Sequence, residues 1–309
     1  MQGSILRAAA FLSAGLLLVS CGGGGSSSAP GVAPMAPLAP AAGSRRTESV
    51  VFPPPPGCTY IATVNPATHF PTRSAARFTG GEHFNLDATG CDYGIYLGPN
   101  VKHAEIEDAR VHGAGRIQII TEGAQDVEIS RTAVDDGGKI AGIEFTYDST
   151  GSVERSYVTN AETGVEVIFG GHVRFGELYI TNTSFLGVNV LENANAVVED
   201  VYIDNSMNVG SGVAVQLGSK GVVRNVTAIG AGKPTAFGPQ FGFFFGYRNP
   251  NVESKHNTAI GNQYGFGVYC VTSIPSVDEL TDEHNRARDR TIKNFDVQTS
   301  NCAPPPPGT

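Results

Sequence analysis

The sequence predicts an all-β solenoid in which each turn is one coil of a parallel β-helix. Three observations carry that prediction. The first is a repeated short strand: Gly94-Ile-Tyr-Leu, Arg116-Ile-Gln-Ile, Gly142-Ile-Glu-Phe, Gly164-Val-Glu-Val, Gly187-Val-Asn-Val, Gly212-Val-Ala-Val, Gly242-Phe-Phe-Phe and Gly265-Phe-Gly-Val. Its first apolar residues fall at 95, 117, 143, 165, 188, 213, 243 and 266, in steps of 22, 26, 22, 23, 25, 30 and 23. A fixed period in this range marks a solenoid. The second is another alternating segment upstream, as in "VERSYVTN", "FGELYITN" and "VEDVYIDN". There Val201 and Ile203 take one face and Tyr202 the other. The third is the scarcity of helical periodicity, together with the absence of the L-x-x-L-x-L pattern of leucine-rich repeats.

Stacked coils place equivalent residues in columns about 4.8 Å apart. Ile143/Phe145, Val165/Val167, Val188/Val190, Val213/Val215 and Phe243/Phe245 are therefore expected inside, where only a stack of coils can bury them. Asn160, Asn182 and Asn205 are expected to stack at a bend, since Asn is a favoured turn residue. The glycine before each strand is expected to ease a tight corner. The long step before Phe243 implies an inserted loop at 232–240. After Cys270, "PSVDELTDEHNRARDR" breaks the pattern and reads as a helix or charged loop over the open end.

The N-x-x-x-x-G-[VI]-x-[VL] grammar resembles the right-handed parallel β-helix repeats of the pectate-lyase-like superfamily, over about residues 84–300. The resemblance implies a right-handed helix of about eight coils. It does not fix a function, because that superfamily holds lyases, hydrolases, epimerases, adhesins and inert spikes.

Composition divides the rest of the chain. Residues 1–20 read as a signal peptide whose apolar run is too short to span a membrane. Leu18-Val19-Ser20-Cys21 resembles the lipobox of bacterial lipoproteins. That resemblance implies cleavage before Cys21, lipidation of its thiol and, with Gly22 following, an outer-membrane destination. Residues 21–57 form a Gly/Ser- then Ala/Pro-rich linker, 58–302 the β-helix with its caps, and 303–309 a Pro-rich tail. The remaining cysteines lie near the ends of the folded segment. In an exported protein they are expected to pair by proximity as Cys58–Cys91 and Cys270–Cys302. With no C-x-x-C pair, no metal site is expected. The formal charge of −8 and the lack of a basic face exclude a nucleic-acid partner.

Function is sought in departures from the repeat. One outward column reads Tyr96, Gln118, Glu144, Glu166, Asn189, Ala214, Phe244, Gly267. Glu144 and Glu166 sit on consecutive coils, with carboxylates expected about 5 Å apart. Such a pair suits acid/base chemistry at the separation of retaining glycosidases. Lys139 and Arg131 flank the Asp135-Asp136 turn and would stabilise an enolate in a lyase. Catalysis is thus assigned to Glu144, Glu166 and Lys139, and substrate binding to Gln118, Asn189 and Arg131. A second column, Tyr157, Tyr179 and Tyr202, reads either as an apolar wall for sugar rings or as a ladder that stabilises the sheet. The expected partner is a glycan or another cell-envelope component, with the membrane met only through the lipid. No cofactor is expected; calcium stands as an open alternative without support, since no complete set of calcium-binding carboxylates accompanies these residues. Asp135-Asp136 is expected to be a turn, and His112 and His172 to be surface residues. The other function class is a non-catalytic structural or adhesin-type surface protein.

Overall fold

The computed structural model describes residues 84–99, 101–136, 139–235 and 238–300. They form a parallel β-helix of about eight turns. Each coil runs through three strands, and equivalent strands of successive coils pair in parallel. Among the described residues this gives a first sheet of nine strands, a second of nine and a third of seven. The coil from Tyr157 shows the pattern: Tyr157–Thr159 in the first sheet, Thr163–Val167 in the second and His172–Gly176 in the third.

The interior columns form as the alternation requires. Ile143, Phe145, Val165, Val167, Val188, Val190, Val213, Val215, Phe243 and Phe245 are fully buried in one continuous core. Towards the C-terminus that core becomes aromatic. Phe243 stacks on Phe266 at 4.5 Å, and Phe266 on Phe295 at 5.3 Å. In-register coils make such like-on-like columns, which add ring contacts to simple burial.

Each segment read as the upstream strand is in fact two. "VERSYVTN" holds the end of Thr150–Glu154, in the third sheet, and then Tyr157–Thr159, in the first. Between them Arg155 turns the chain with φ of 49°. The same left-handed conformation recurs at Asp108, Arg131, Glu177, Asp200, Asn225, His256 and His284, one per coil. The backbone strain of these non-glycine residues is tolerated because the ladders on both sides fix the corner.

The glycines before the second-sheet strands have another purpose than the corner expected for them. None of Gly142, Gly164, Gly187, Gly212 and Gly242 has a positive φ. A Cβ on Gly164 would lie 2.5 Å from Ile180 Cγ2 and 2.6 Å from the Gly187 carbonyl oxygen; one on Gly212 would lie 2.2 Å from the Gly242 oxygen. These positions stay glycine because inward side chains of the first sheet and the next coil's backbone fill the space.

The expected asparagine stack forms in part. Asn182 donates its side-chain amide to Asn160 Oδ1, and both residues are left-handed. Asn205 instead turns inward, accepting from the Thr183 amide and donating to the carbonyls of Gly210 and Ser211. The longer loop that follows it supplies those backbone partners.

In the coil that begins at Thr258 a helix, Val277–Asp282, takes the place of a third-sheet strand. Ser276 caps it by accepting from the Glu279 amide, Asp278 and Glu279 complement its N-terminal dipole, and Leu280 plugs the core. The rest of the pattern-breaking segment returns to the ladder as Arg286–Arg288, followed by Lys293–Gln298. Cys91 and Cys270 are each disulfide-bonded. Their expected partners, Cys58 and Cys302, lie outside the described residues, as do the signal peptide, the linker and Cys21.

Candidate functional site

The outer face of the first sheet carries the tyrosines. Tyr157 pairs with Tyr179, and Tyr179 with Tyr202. Their ring centroids are 5.5 and 5.1 Å apart, with interplanar angles of 15° and 3°. They remain 37%, 44% and 36% exposed. This corrects the picture of a flat wall: the rings stack along the solenoid axis, so most ring faces meet each other and the edges with their hydroxyls meet solvent. The stack ends where the register brings Ala133 beside Tyr157 and Thr227 beside Tyr202. Those small residues do not continue it.

A hydroxyl column runs parallel to the rings. Tyr157 Oη and Thr181 Oγ1 share a hydrogen bond of 3.1 Å, and Thr181 donates to Thr159 Oγ1 at 2.9 Å. Thr159, Thr181 and Asp204 occupy one register position. The sequence reading passed over this column, although "YVT", "YIT" and "YID" spell it. Burial, then Asp204 and Tyr179, pushes the Tyr202 hydroxyl pKa up.

The outer column of the second sheet has a different environment. Glu144 pairs with Glu166, and Glu166 with Asn189. All three are buried, Glu144 completely. Asn189 donates to Glu166 Oε2 at 3.0 Å, and Gln216 donates to Asn189 Oδ1 at 3.2 Å. Apolar clusters flank this polar run. On one side stand Tyr96, Ile117, Ile120 and Ala141; on the other, Leu186, Ala214, Phe241, Phe244, Tyr264 and Tyr269. The column ends at buried Asp296, which accepts from Tyr269 at 2.6 Å and Lys293 at 2.6 Å. Burial pushes the Asp296 carboxyl up, but the bonds from Lys293, Tyr269 and Gln298 outweigh it and hold its pKa below the usual value.

Gln118 does not belong to that column. The residue facing Glu144 is Ile120, and Ile119 faces Ile143. Ile95 likewise pairs with Ile119, which sets Gln118 level with Gly94. The expected alignment was two residues out of register. A two-residue slip keeps every side chain on its face, so alternation did not reveal it. Gln118 occupies the glycine column, and its amide binds the backbone of Ala114 and the Asp136 carbonyl.

Nor do the flanking cations join the glutamates. Arg131 lies at the corner between the third and first sheets, bonded to Asp108 at 2.7 Å and Glu107 at 2.5 Å. Lys139 is exposed in the turn before the second sheet. Asp135 ends a first-sheet strand and pairs with Arg110 at 2.6 Å, while Asp136 makes the left-handed turn. His172 is an exposed third-sheet residue, and His112 lies 3.9 Å from Asp87. Among the described residues, no group of three or more His, Cys, Asp or Glu is placed to hold a metal ion.

The third sheet presents an ion-pair ladder. Arg174 reaches Glu154 at 3.6 Å and Glu199 at 3.2 Å, and Arg224 reaches Glu199 at 2.8 Å. These charges satisfy one another across the coils.

Residues 141–289 match the family model for the right handed beta helix region. The match begins at the Ala141–Thr146 strand and ends just past Arg286–Arg288. The described coils before it continue the same three-sheet winding, with Gln118 where later coils have glycine. No curated protein and no solved structure matches the chain.

Proposed function

We propose that this protein is an exported, lipid-anchored β-helix that binds a polysaccharide on the outer face of its first sheet and does not cleave it. One observation supports this reading above the others: the exposed stack of Tyr157, Tyr179 and Tyr202 beside a column of hydroxyls. Sugars combine apolar ring faces with a rim of hydroxyls. The stack offers open ring faces at Ala133 and Thr227, with hydrogen-bonding edges along its length. Glu144 and Glu166 argue against catalysis as presented, because they lie buried between two apolar clusters. Membership of the pectate-lyase-like superfamily, anchoring through Cys21 in the outer membrane, and the pairings Cys58–Cys91 and Cys270–Cys302 belong to the same proposal. They rest on the repeat grammar, the Leu-Val-Ser-Cys motif and the two disulfide-linked cysteines.

The test is a glycan array and a reducing-end assay on full-length chain carrying Cys21→Ser, with and without calcium. Binding without product release is expected, reduced at least tenfold in a Tyr157→Ala, Tyr202→Ala double variant that still unfolds cooperatively. Product release that disappears in Glu144→Gln, Glu166→Gln would overturn the non-catalytic reading. Silence on every glycan would leave the structural or adhesin class. Radiolabelled palmitate should enter the wild-type chain and not the Cys21→Ser chain.

A further inference from the structure

The last coil leaves a groove of about 570 Å³, lined among the described residues by Thr258, Thr281, Asn285, Arg286, Ala287, Arg288 and Phe295. Its floor is the end of the core: the Phe295 ring stacks on Phe266 and is half-buried, as is Ala287. One wall is the edge of the first sheet. Strand Arg286–Arg288 pairs with Thr258–Ile260 on one side and ends the sheet on the other. The Arg286 amide donates to Asn257, and the Arg288 carbonyl accepts from Gly261. Parallel pairing alternates, so the amide and carbonyl of Ala287 point away from Thr258–Ile260, toward the open edge of the sheet beside the groove.

Charge gives this edge a chemical preference. Arg286 and Arg288 are exposed, flank Ala287 and point away from the core, with Arg290 close by in sequence. Among the described residues none of the three is in an ion pair, whereas Arg131, Arg174 and Arg224 all are. Within the edge strand Arg286–Arg288 the only charges are positive, although Glu283 and Asp289 stand just beyond its ends on a chain of net charge −8.

We propose that this groove binds an extended acidic peptide of another protein, which adds to the first sheet as its next strand. An added strand would bond to the Ala287 amide and carbonyl. Its alternate residues would fall into two rows. Acidic side chains on the outer row would meet Arg286 and Arg288, and apolar ones on the inner row would cover Phe295. The chain's own tail does not meet this requirement: Asn301 to Thr309 contains no acidic residue and has four consecutive prolines, which lack the amide that a ladder needs.

The experiment is fluorescence anisotropy of a labelled eight-residue peptide of alternating Glu and Val, titrated with the full chain. Saturable binding is expected, weakened at least tenfold by Arg286→Glu, Arg288→Glu and by N-methylation of alternate peptide amides. A Lys/Val peptide should not bind. Binding indifferent to N-methylation would overturn strand addition. Displacement by heparin with equal affinity for the methylated peptide would reduce the site to an anion patch. Concentration-dependent self-association abolished by the arginine reversals would assign the edge to a second copy. Absence of binding to the Glu/Val peptide would end the proposal. The N-methylated probe needs no change to the protein, so a misfolded variant cannot mimic its result.

Discussion

On the outer face of the first sheet, Tyr157, Tyr179 and Tyr202 stand more than one-third exposed; on that of the second, Glu144, Glu166 and Asn189 are buried. Both sets lie on parallel strands, with Tyr157 in the coil of Glu166 and Tyr179 in that of Asn189, and both alternate with core residues. Hydrophobicity would place them the other way round. The difference teaches that alternation assigns a residue to the inside or outside of a coil, and says nothing of whether that outside meets water. Apolar neighbours decide the second question. Ile120 and Ala141 precede the glutamates, while Ala214 and Phe244 follow Asn189. The tyrosines have Arg110, Thr227 and Thr258 farther along their own face.

The largest effect that would sharpen the contrast comes from Glu166→Ala. It strands the Asn189 amide in a buried setting, and a loss of about 2–3 kcal/mol is expected in urea unfolding. Tyr179→Ala removes the middle ring and two stacked contacts. It should cost less, about 1–2 kcal/mol. If the exposed tyrosine proved the more costly, the contrast between the faces would fail. Tyr269→Phe comes next, at about 1.5 kcal/mol, because it takes one donor from buried Asp296 and leaves two.

Acid probes the same carboxylate. The folded pKa of Asp296 is held below its unfolded value. Its stabilisation is therefore present above the unfolded pKa, about 3.9, and is lost as pH falls through the folded pKa. Thermal unfolding should show an acid-labile component below about pH 4 that is missing in Asp296→Asn. The smallest effect is expected on the third sheet. Glu199→Gln breaks an exposed arginine ladder, and should lower Tm slightly in dilute buffer and not at all at high salt.

The fold was legible wherever one residue type repeats at one position. Val165, Val188 and Val213 announced the core, and the period announced the coil. The third sheet was not read as a separate layer, because its junction with the first is a left-handed Arg155, Glu177 or Asp200. No glycine takes the left-handed position at those junctions. Gln118 was misplaced because Arg116 was matched to Gly94, and a slip of two leaves the alternation intact. The tyrosine column was legible as a column, though not as a stack, since ring orientation has no periodic signature. Glu144 and Glu166 were correctly paired. Their burial depends on residues from several coils and could not be read from their own strands.

The left-handed corner has a consequence for how such a molecule can change. Glycine at that bend would leave a bare edge. Here the bend is made by Asp108, Arg131, Arg155, Glu177, Asp200, Asn225, His256 and His284, each with a side chain reaching outward from the rim. The result is a row of addresses, one per coil, whose letters can be rewritten singly while the winding beneath stays the same.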